Sequence, residues 1–360
     1  MNILFITRAT TYTAPGGDTV QIESTAKYLR QLGLSIDIIL ANEKVNYTNY
    51  DIIHFFNITR PADILNHVEK SKKPFVISPI FIDYSEYEKS SGSGLVSVLS
   101  RLLPNETVEY IKTVARYIKN GEKINSWSFL WRGQQRSIEY LLKHTSYLLP
   151  NSQSEYNRLY NRYHIPQKYI IVPNAIDPEK FSSVIDTSKK EESTLLCVAR
   201  IEGIKNQLNL IKAVNETKFR LILVGKPAPN HFKYYQSCVA AAGSNIQFVD
   251  HVPQEQLIPL YQQAHIHILP SWFETTGLAS LEAAAMGCKI VITDKGDTKE
   301  YFKDYVYYCD PGNPASIRSA ILEAAHNPIN LNLRTHVLNN YTWDIAAKQT
   351  LKAYNQLLNS

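Results

Sequence analysis

At 360 residues the chain is long for one ordinary domain and comfortable for two. With 44% hydrophobic and 20% charged residues it reads as globular with an ample core, and a net charge of +5 is too mild to imply nucleic acid. No apolar run approaches the roughly 18 residues that would span a bilayer, and the four dispersed cysteines form no CxxC pair, so core thiols in a cytoplasmic protein are expected.

MNILFITRAT turns polar too soon for a signal peptide and reads as a first buried strand at 3–7. APGGDTVQIESTAKYLRQLG follows. Gly16 and Gly17 let backbone approach a ligand closely, and an amphipathic helix begins around Asp18 and Thr19. N–H groups at its start would face an anion or sugar hydroxyls. The pattern is not GxGxxG, which disfavours a dinucleotide site. Further strands are predicted at 36–41, 52–56, 75–80 and 147–152. Runs this apolar on both faces belong to parallel strands covered by helices.

Residues 84–145 interrupt the rhythm with helical patterning and a loop signal, SSGSG. ETVEYIKTVARYIK puts Val108, Ile111, Ala115 and Ile118 on one helical face and Lys112, Arg116 and Lys119 on another; Trp127 and Trp131 follow. Eight Lys or Arg face four Glu over 101–145. A helical hairpin packed on the first domain is the plain reading. Contact with a membrane surface or a lipid-linked acceptor is the sharper one.

The rhythm resumes at 194–200, 220–225, 246–250, 266–270, 289–293 and 306–310, which makes two doubly wound α/β units in tandem. The polar tract DTSKKEES at 186–193 suggests a seam between 165 and 193. Ligands in such sheets bind beyond the carboxyl ends of the strands. Arg200 leaves one such end and Lys205 sits near the next helix, a spacing that suits a diphosphate or, equally, two surface cations at a loop.

SWFETTGLASLEAAAMG, 271–287, is more pointed. Glu274 falls in the loop after a strand, and Thr276, Gly277 and Leu278 open an Ala-rich helix whose N–H groups can receive phosphate or sugar oxygens. Glu282 lies about one and a half turns in, placed to accept from ribose hydroxyls. The plainer alternatives are a helix-capping acid for Glu274 and a solvated-face carboxylate for Glu282. Neither explains why their surroundings are small or apolar.

PSWFETTGLASLEAAAMG resembles the Glu-x7-Glu setting of the retaining glycosyltransferases of family 4, which have the two-domain GT-B fold. VPNAID at 172–177, DPGNPASI at 310–317 and YTWDIAAKQTLKAY at 341–354 are similar to that family's VPNGID, its late DPxDP segment and its terminal helix. The resemblance implies an α/β protein with two Rossmann-like domains enclosing a cleft. An acceptor-binding domain would span 1–168, with the insertion at 84–145. A nucleotide-sugar domain would span 169–340, and a helix at 341–360 would cross back to the first.

In that family Glu274's counterpart holds donor-sugar hydroxyls and Glu282's holds the ribose. Arg200 and Lys205 match the cations that stabilise the departing diphosphate, and Gly16-Gly17 match the amino-terminal glycine loop. Many members carry a histidine after the strand equivalent to FVISPI, where this chain has Ile80. His54 or Asp83 could take a nearby polar role, although His54 reads equally as a core histidine. No DxD-type pair stands at a strand end, so no metal and no cofactor are expected.

The implied reaction is hexose transfer from a nucleotide diphosphate sugar, UDP-glucose or similar, to a glycan or lipid-linked acceptor in polysaccharide biosynthesis. Front-face substitution is favoured over double displacement. Peripheral membrane contact would run through 101–136, at the inner face of the plasma membrane. An epimerase or phosphorylase on the same fold, and a non-catalytic nucleotide-sugar-binding subunit, are the competing readings.

Overall fold

The computed structural model describes residues 1–83, 87, 126–181 and 185–359. They divide into two units, the first holding the described residues of Met1–Phe81, Gly92–Pro173 and Trp343–Ser360, the second those of Ile82–Ser91 and Asn174–Thr342. Each is built on a parallel sheet flanked by helices.

In the first unit β1 (Asn2–Thr7), β2 (Ser35–Leu40), β3 (Ile52–Phe56), β4 (Phe75–Ser78) and β5 (Tyr147–Leu148) lie in the order β2-β1-β3-β4-β5. Ile3 pairs with both Ile36 and Ile52, and Ile3, Leu4 and Phe5 are fully buried. Consecutive buried side chains mean both faces are covered, as the continuous apolar runs require. Helix α1 (Gly17–Gln31) buries Ile22, Ala26 and Leu29, at the spacing of one helical face. Helix α2 (Pro61–Ser71) starts on proline, whose missing N–H costs nothing there, and packs on α3 (Trp127–His144).

Helix α3 is broken at Gly133, φ 70°, and carries Trp131 at 87% exposure. It is the described part of the expected insertion. The basic face of Lys112, Arg116 and Lys119 lies outside the described residues. Among those described, no helix is long and apolar enough to cross a membrane.

The predicted strand at 147–152 is cut to two residues as the chain enters Pro150 and turns into α4 (Gln153–Tyr163). Residues 168–172 then run beside β5: Leu148 N donates to the Lys168 carbonyl at 2.9 Å, and Ile170 N to the Leu148 carbonyl at 3.0 Å. Those bonds hold 169–173 in the first unit, so the units part at Pro173 and Asn174 rather than at 168. The polar tract 186–193 is no linker. It forms a 3₁₀ turn and the first residues of a strand inside the second unit.

The second unit contains a short helix α5 (Pro178–Phe181), then β6 (Glu191–Val198), α6 (Gln207–Val214), β7 (Arg220–Val224), α7 (Phe232–Ala241), β8 (Ile246–Val249) and α8 (Gln254–Gln263). After these come β9 (Ala264–Leu269), α9 (Leu278–Ala285), β10 (Lys289–Thr293), α10 (Thr298–Phe302), β11 (Tyr307–Cys309), α11 (Pro314–His326) and α12 (Asn332–Asn340). The strands run β11-β10-β9-β6-β7-β8. Cys197, Cys238, Cys288 and Cys309 are buried and free. The last helix, α13 (Trp343–Leu358), packs on α1 and so belongs to the first unit.

His54 sits in β3 at 1% exposure, stacked on Phe56. Its Nδ1 hydrogen bonds the Tyr354 hydroxyl at 2.7 Å and its Nε2 the Ser78 hydroxyl at 2.9 Å. Nδ1 thus ties α13 to the sheet and Nε2 ties β3 to β4, so both ring nitrogens are used within the protein, which corrects the reading of His54 as a substrate-binding residue. Burial pulls its pKa from 6.5 to about 3. The folded state holds the neutral ring, so the stabilisation is present above 6.5 and is lost as pH falls toward 3. Urea unfolding between pH 7 and 5 should show stability falling by about 1.4 kcal/mol per pH unit for this group below 6.5. His54→Gln should lower that slope; an unchanged slope would remove His54 as its source.

Candidate functional site

In a parallel sheet every strand ends at the same edge, and the loops after two strands spread apart only where the winding reverses. In the second unit that point lies between β6 and β9, whose following loops carry Arg200–Asn206 and Pro270–Gly277. Several bonds lock these loops together. Trp272 N donates to the Ile204 carbonyl at 2.8 Å, and the Asn206 side chain donates to the carbonyls of Pro270 (3.0 Å) and Pro311 (2.7 Å). Asn206 can do this because its own backbone is left-handed, φ 61°.

The result is a close meeting of charges. Lys205 Nζ lies 2.5 Å from Glu274 Oε1, and the Ser271 hydroxyl donates to the same oxygen at 2.6 Å. Glu274 is 6% exposed, and no donor among the described residues reaches its Oε2. A carboxylate so buried needs a charged partner, and Lys205 supplies it. Glu274 is thus no helix cap: the cap of α9 is Gly277, left-handed at φ 76°, with no side-chain bond. The first amides of α9, Leu278 among them, emerge from that cap at the same edge.

Backbone contacts fix Glu274 as firmly as its side chain does. Its N–H donates to the Lys295 carbonyl at 3.3 Å and its carbonyl accepts from Asp297 N at 2.9 Å. Gly296, φ 92°, makes this possible, since a Cβ there would lie 2.0 Å from the Glu274 carbonyl oxygen. Gly225, φ 149°, does the same under Ala199, where a Cβ would meet the carbonyl oxygen at 2.0 Å. Neither glycine nor Ser271 stands out in the sequence as a site residue. The strand-end positions of KIVITDKG and LILVG were the available signal.

Arg200 is not drawn into the Lys205–Glu274 pair. Its side chain is 44% exposed and bonds Glu202 at 2.9 Å. Thr276 is buried, its hydroxyl accepting from Asn174 Nδ2 at 3.1 Å and bonding the Tyr301 hydroxyl. Glu282 is 9% exposed, which excludes a solvated face. Its Oε1 accepts from Gln254 Nε2 at 2.6 Å and its Oε2 from the Tyr261 hydroxyl at 2.9 Å, not from anything around Glu274. Burial raises its pKa, and those two donors work against the rise.

In the first unit the winding reverses between β1 and β3, and the loop after β1 holds the glycine pair. Gly16 N donates to Thr19 Oγ1 at 3.2 Å, and Thr19 donates on to the Thr11 carbonyl at 3.1 Å. Asp18 forms a two-armed ion pair with Arg8 at 2.6 and 3.1 Å. The Gly16 amide and the side chains of Asp18 and Thr19 therefore close the loop on itself. Gly17 begins α1. Among the described residues no three His, Cys, Asp or Glu come close enough to hold a metal ion.

The family model for glycosyl transferases group 1 matches residues 179–341. An uncharacterised glycosyltransferase of Methanocaldococcus jannaschii is 24% identical over 61% of the chain and 62% of its own length. The chain thus spans less than two thirds of that relative. Sucrose-phosphate synthase from Thermosynechococcus elongatus superposes with TM-score 0.75 over the full length of both chains at 14% identity. HepE of Anabaena, in complex with UDP-glucose, superposes at 0.68 over 99% of this chain and 100% of its own, at 15% identity. The fold is GT-B.

Gly296→Ala should strain the backbone by ~1–3 kcal/mol and force the 295–297 loop away from Glu274. Chemical denaturation should show the loss; an unchanged midpoint would mean the loop does not hold Glu274.

Proposed function

We propose, for a chain that belongs to the glycosyl transferases group 1 family, transfer of a hexose from a nucleotide diphosphate sugar to a glycan or lipid-linked acceptor, with retention at the anomeric carbon. The observation that carries this reading is the Lys205–Glu274–Ser271 cluster at the reversal point between β6 and β9. A cation and a mostly buried carboxylate, next to the start of a helix, suit the two ends of such a donor.

Lys205, Arg200 and the first amides of α9 would take up the charge that develops on the departing diphosphate. Arg200 is exposed enough to swing from Glu202 to a phosphate. Glu274, with Oε2 open, would hold hydroxyls of the donor sugar. Glu282 would accept from the ribose, having lone pairs beyond those that Gln254 and Tyr261 use. No metal is assigned a role, since fixed cations and amides cover the same electrostatic need. The leaving diphosphate would take the acceptor's proton in a front-face substitution. UDP-glucose is the favoured donor because it is the ligand of the HepE structure with the same fold. The product would enter polysaccharide biosynthesis on the cytoplasmic side of a membrane.

Calorimetric titration of UDP, GDP and ADP, with and without EDTA, tests the reading. One nucleotide should bind, indifferent to EDTA; binding that demands a divalent ion, or none at all, would overturn it. Lys205→Ala should weaken binding and turnover together. Glu274→Ala should cut turnover about a hundredfold or more without weakening binding of the free nucleotide, since its contact is to the sugar and its loss leaves Lys205 free for the diphosphate. Normal transfer by that variant would sink the assignment.

Acid should also loosen the nucleotide. Glu282 must be ionised to accept two ribose hydroxyls, and its pKa lies above the ordinary 4.5. Affinity should therefore fall as pH drops through a midpoint above 4.5, and the fall should vanish in Glu282→Gln. The stability effect has the opposite sense. A raised acid pKa favours the folded state while protonated, so that contribution is complete below 4.5 and lost as pH climbs through the folded-state value.

A further inference from the structure

Glu282 is held by an arrangement that the reading above leaves unused. Its two donors, Gln254 and Tyr261, are seven residues apart on α8, an interval that returns to one helical face. Tyr261 is fully buried, so its hydroxyl has a fixed position. Gln254 is fixed by charge. Its Oε1 accepts from Lys180 Nζ at 3.1 Å while its Nε2 donates to Glu282 Oε1 at 2.6 Å. An ammonium only donates and an ionised carboxylate only accepts, so a glutamine placed between them has one permitted orientation. Lys180 is itself steadied by Glu255, 2.8 Å away.

We propose that Lys180 and Gln254 are positioning residues that set the Glu282 carboxylate to read the ribose of the bound nucleotide. The inference rests on the ribose role of Glu282 proposed above. Lys180 never touches the nucleotide. It orients the Gln254 amide, which in turn fixes one carboxylate oxygen while Tyr261 fixes the other. Removing Lys180 leaves the amide oxygen without its ammonium donor, so Gln254 is held from one side only and the Glu282 oxygen it fixes gains freedom. The cost then falls on ribose recognition and not on the diphosphate, which other residues hold.

The test measures binding of UDP, GDP and ADP and of their 2′,3′-dideoxy counterparts to wild type and to Gln254→Leu, Lys180→Met and Lys180→Arg. Wild type should prefer the ribonucleotide by about tenfold or more, the scale of hydrogen bonds to a charged group. Gln254→Leu should lose most of that preference, with dideoxynucleotide affinity within about twofold of wild type. Lys180→Met should lose a smaller part, about threefold, and Lys180→Arg should keep it. Full preference in Gln254→Leu and Lys180→Met would overturn the proposal and leave the ribose role of Glu282 standing. Equal weakening of both nucleotide forms would show a merely structural role and overturn it likewise. A wild type without ribose preference would remove the ribose role and this inference together.

Discussion

Two parallel strands cannot be joined by a turn; the chain must cross back over the sheet before the next strand begins. Everything functional in the second unit follows from that constraint. All six strands release their loops at one edge, and the winding reverses between β6 and β9, the place where such sheets bind ligands. The chain fills this place with its most costly groups: a lysine at 22% side-chain exposure and a glutamate at 7%. Each would be unfavourable alone in so little water, and each offsets the other. The loops are then pinned to their neighbours by Asn206, Gly225 and Gly296, so that the pair does not drift.

Much of this could be read before any coordinates. The strands announced themselves as apolar runs, because a strand buried on both faces has no alternation to confuse it. Lys205, Glu274 and Glu282 could be placed because strand ends and helix starts locate residues to within a turn. Pairing could not be read. That Lys205 meets Glu274 while Arg200 turns to Glu202 depends on loop crossings 69 residues apart in sequence. Ser271 looked like punctuation at the end of a strand.

Gly16, Asp18 and Thr19 at the start of α1, and His54 within β3, are polar or permissive residues that local sequence offers to a ligand. In each case the protein itself supplies the partner: Thr19 for the Gly16 amide, Arg8 for Asp18, Tyr354 and Ser78 for His54. Local sequence shows that a polar group needs satisfying and not what satisfies it. Tyr354 is 300 residues from His54, and no local pattern links them.

The Lys205–Glu274 pair sets terms for how a donor would bind under the proposed function. A diphosphate offers Lys205 more negative charge than Glu274 does, and hydroxyls offer Glu274 donors in place of the ammonium. If the two exchanges occur together, neither charge is left buried and bare. A nucleotide without its sugar would satisfy Lys205 and strip Glu274 of its main partner, leaving Ser271 and water to compensate. The site would then favour the intact donor over its product, since only the donor replaces both halves of the pair it displaces. Departure of the diphosphate after transfer would be helped by the same return of Lys205 to Glu274. Under that function one ion pair would neutralise both charges between turnovers and compete with the leaving group during them.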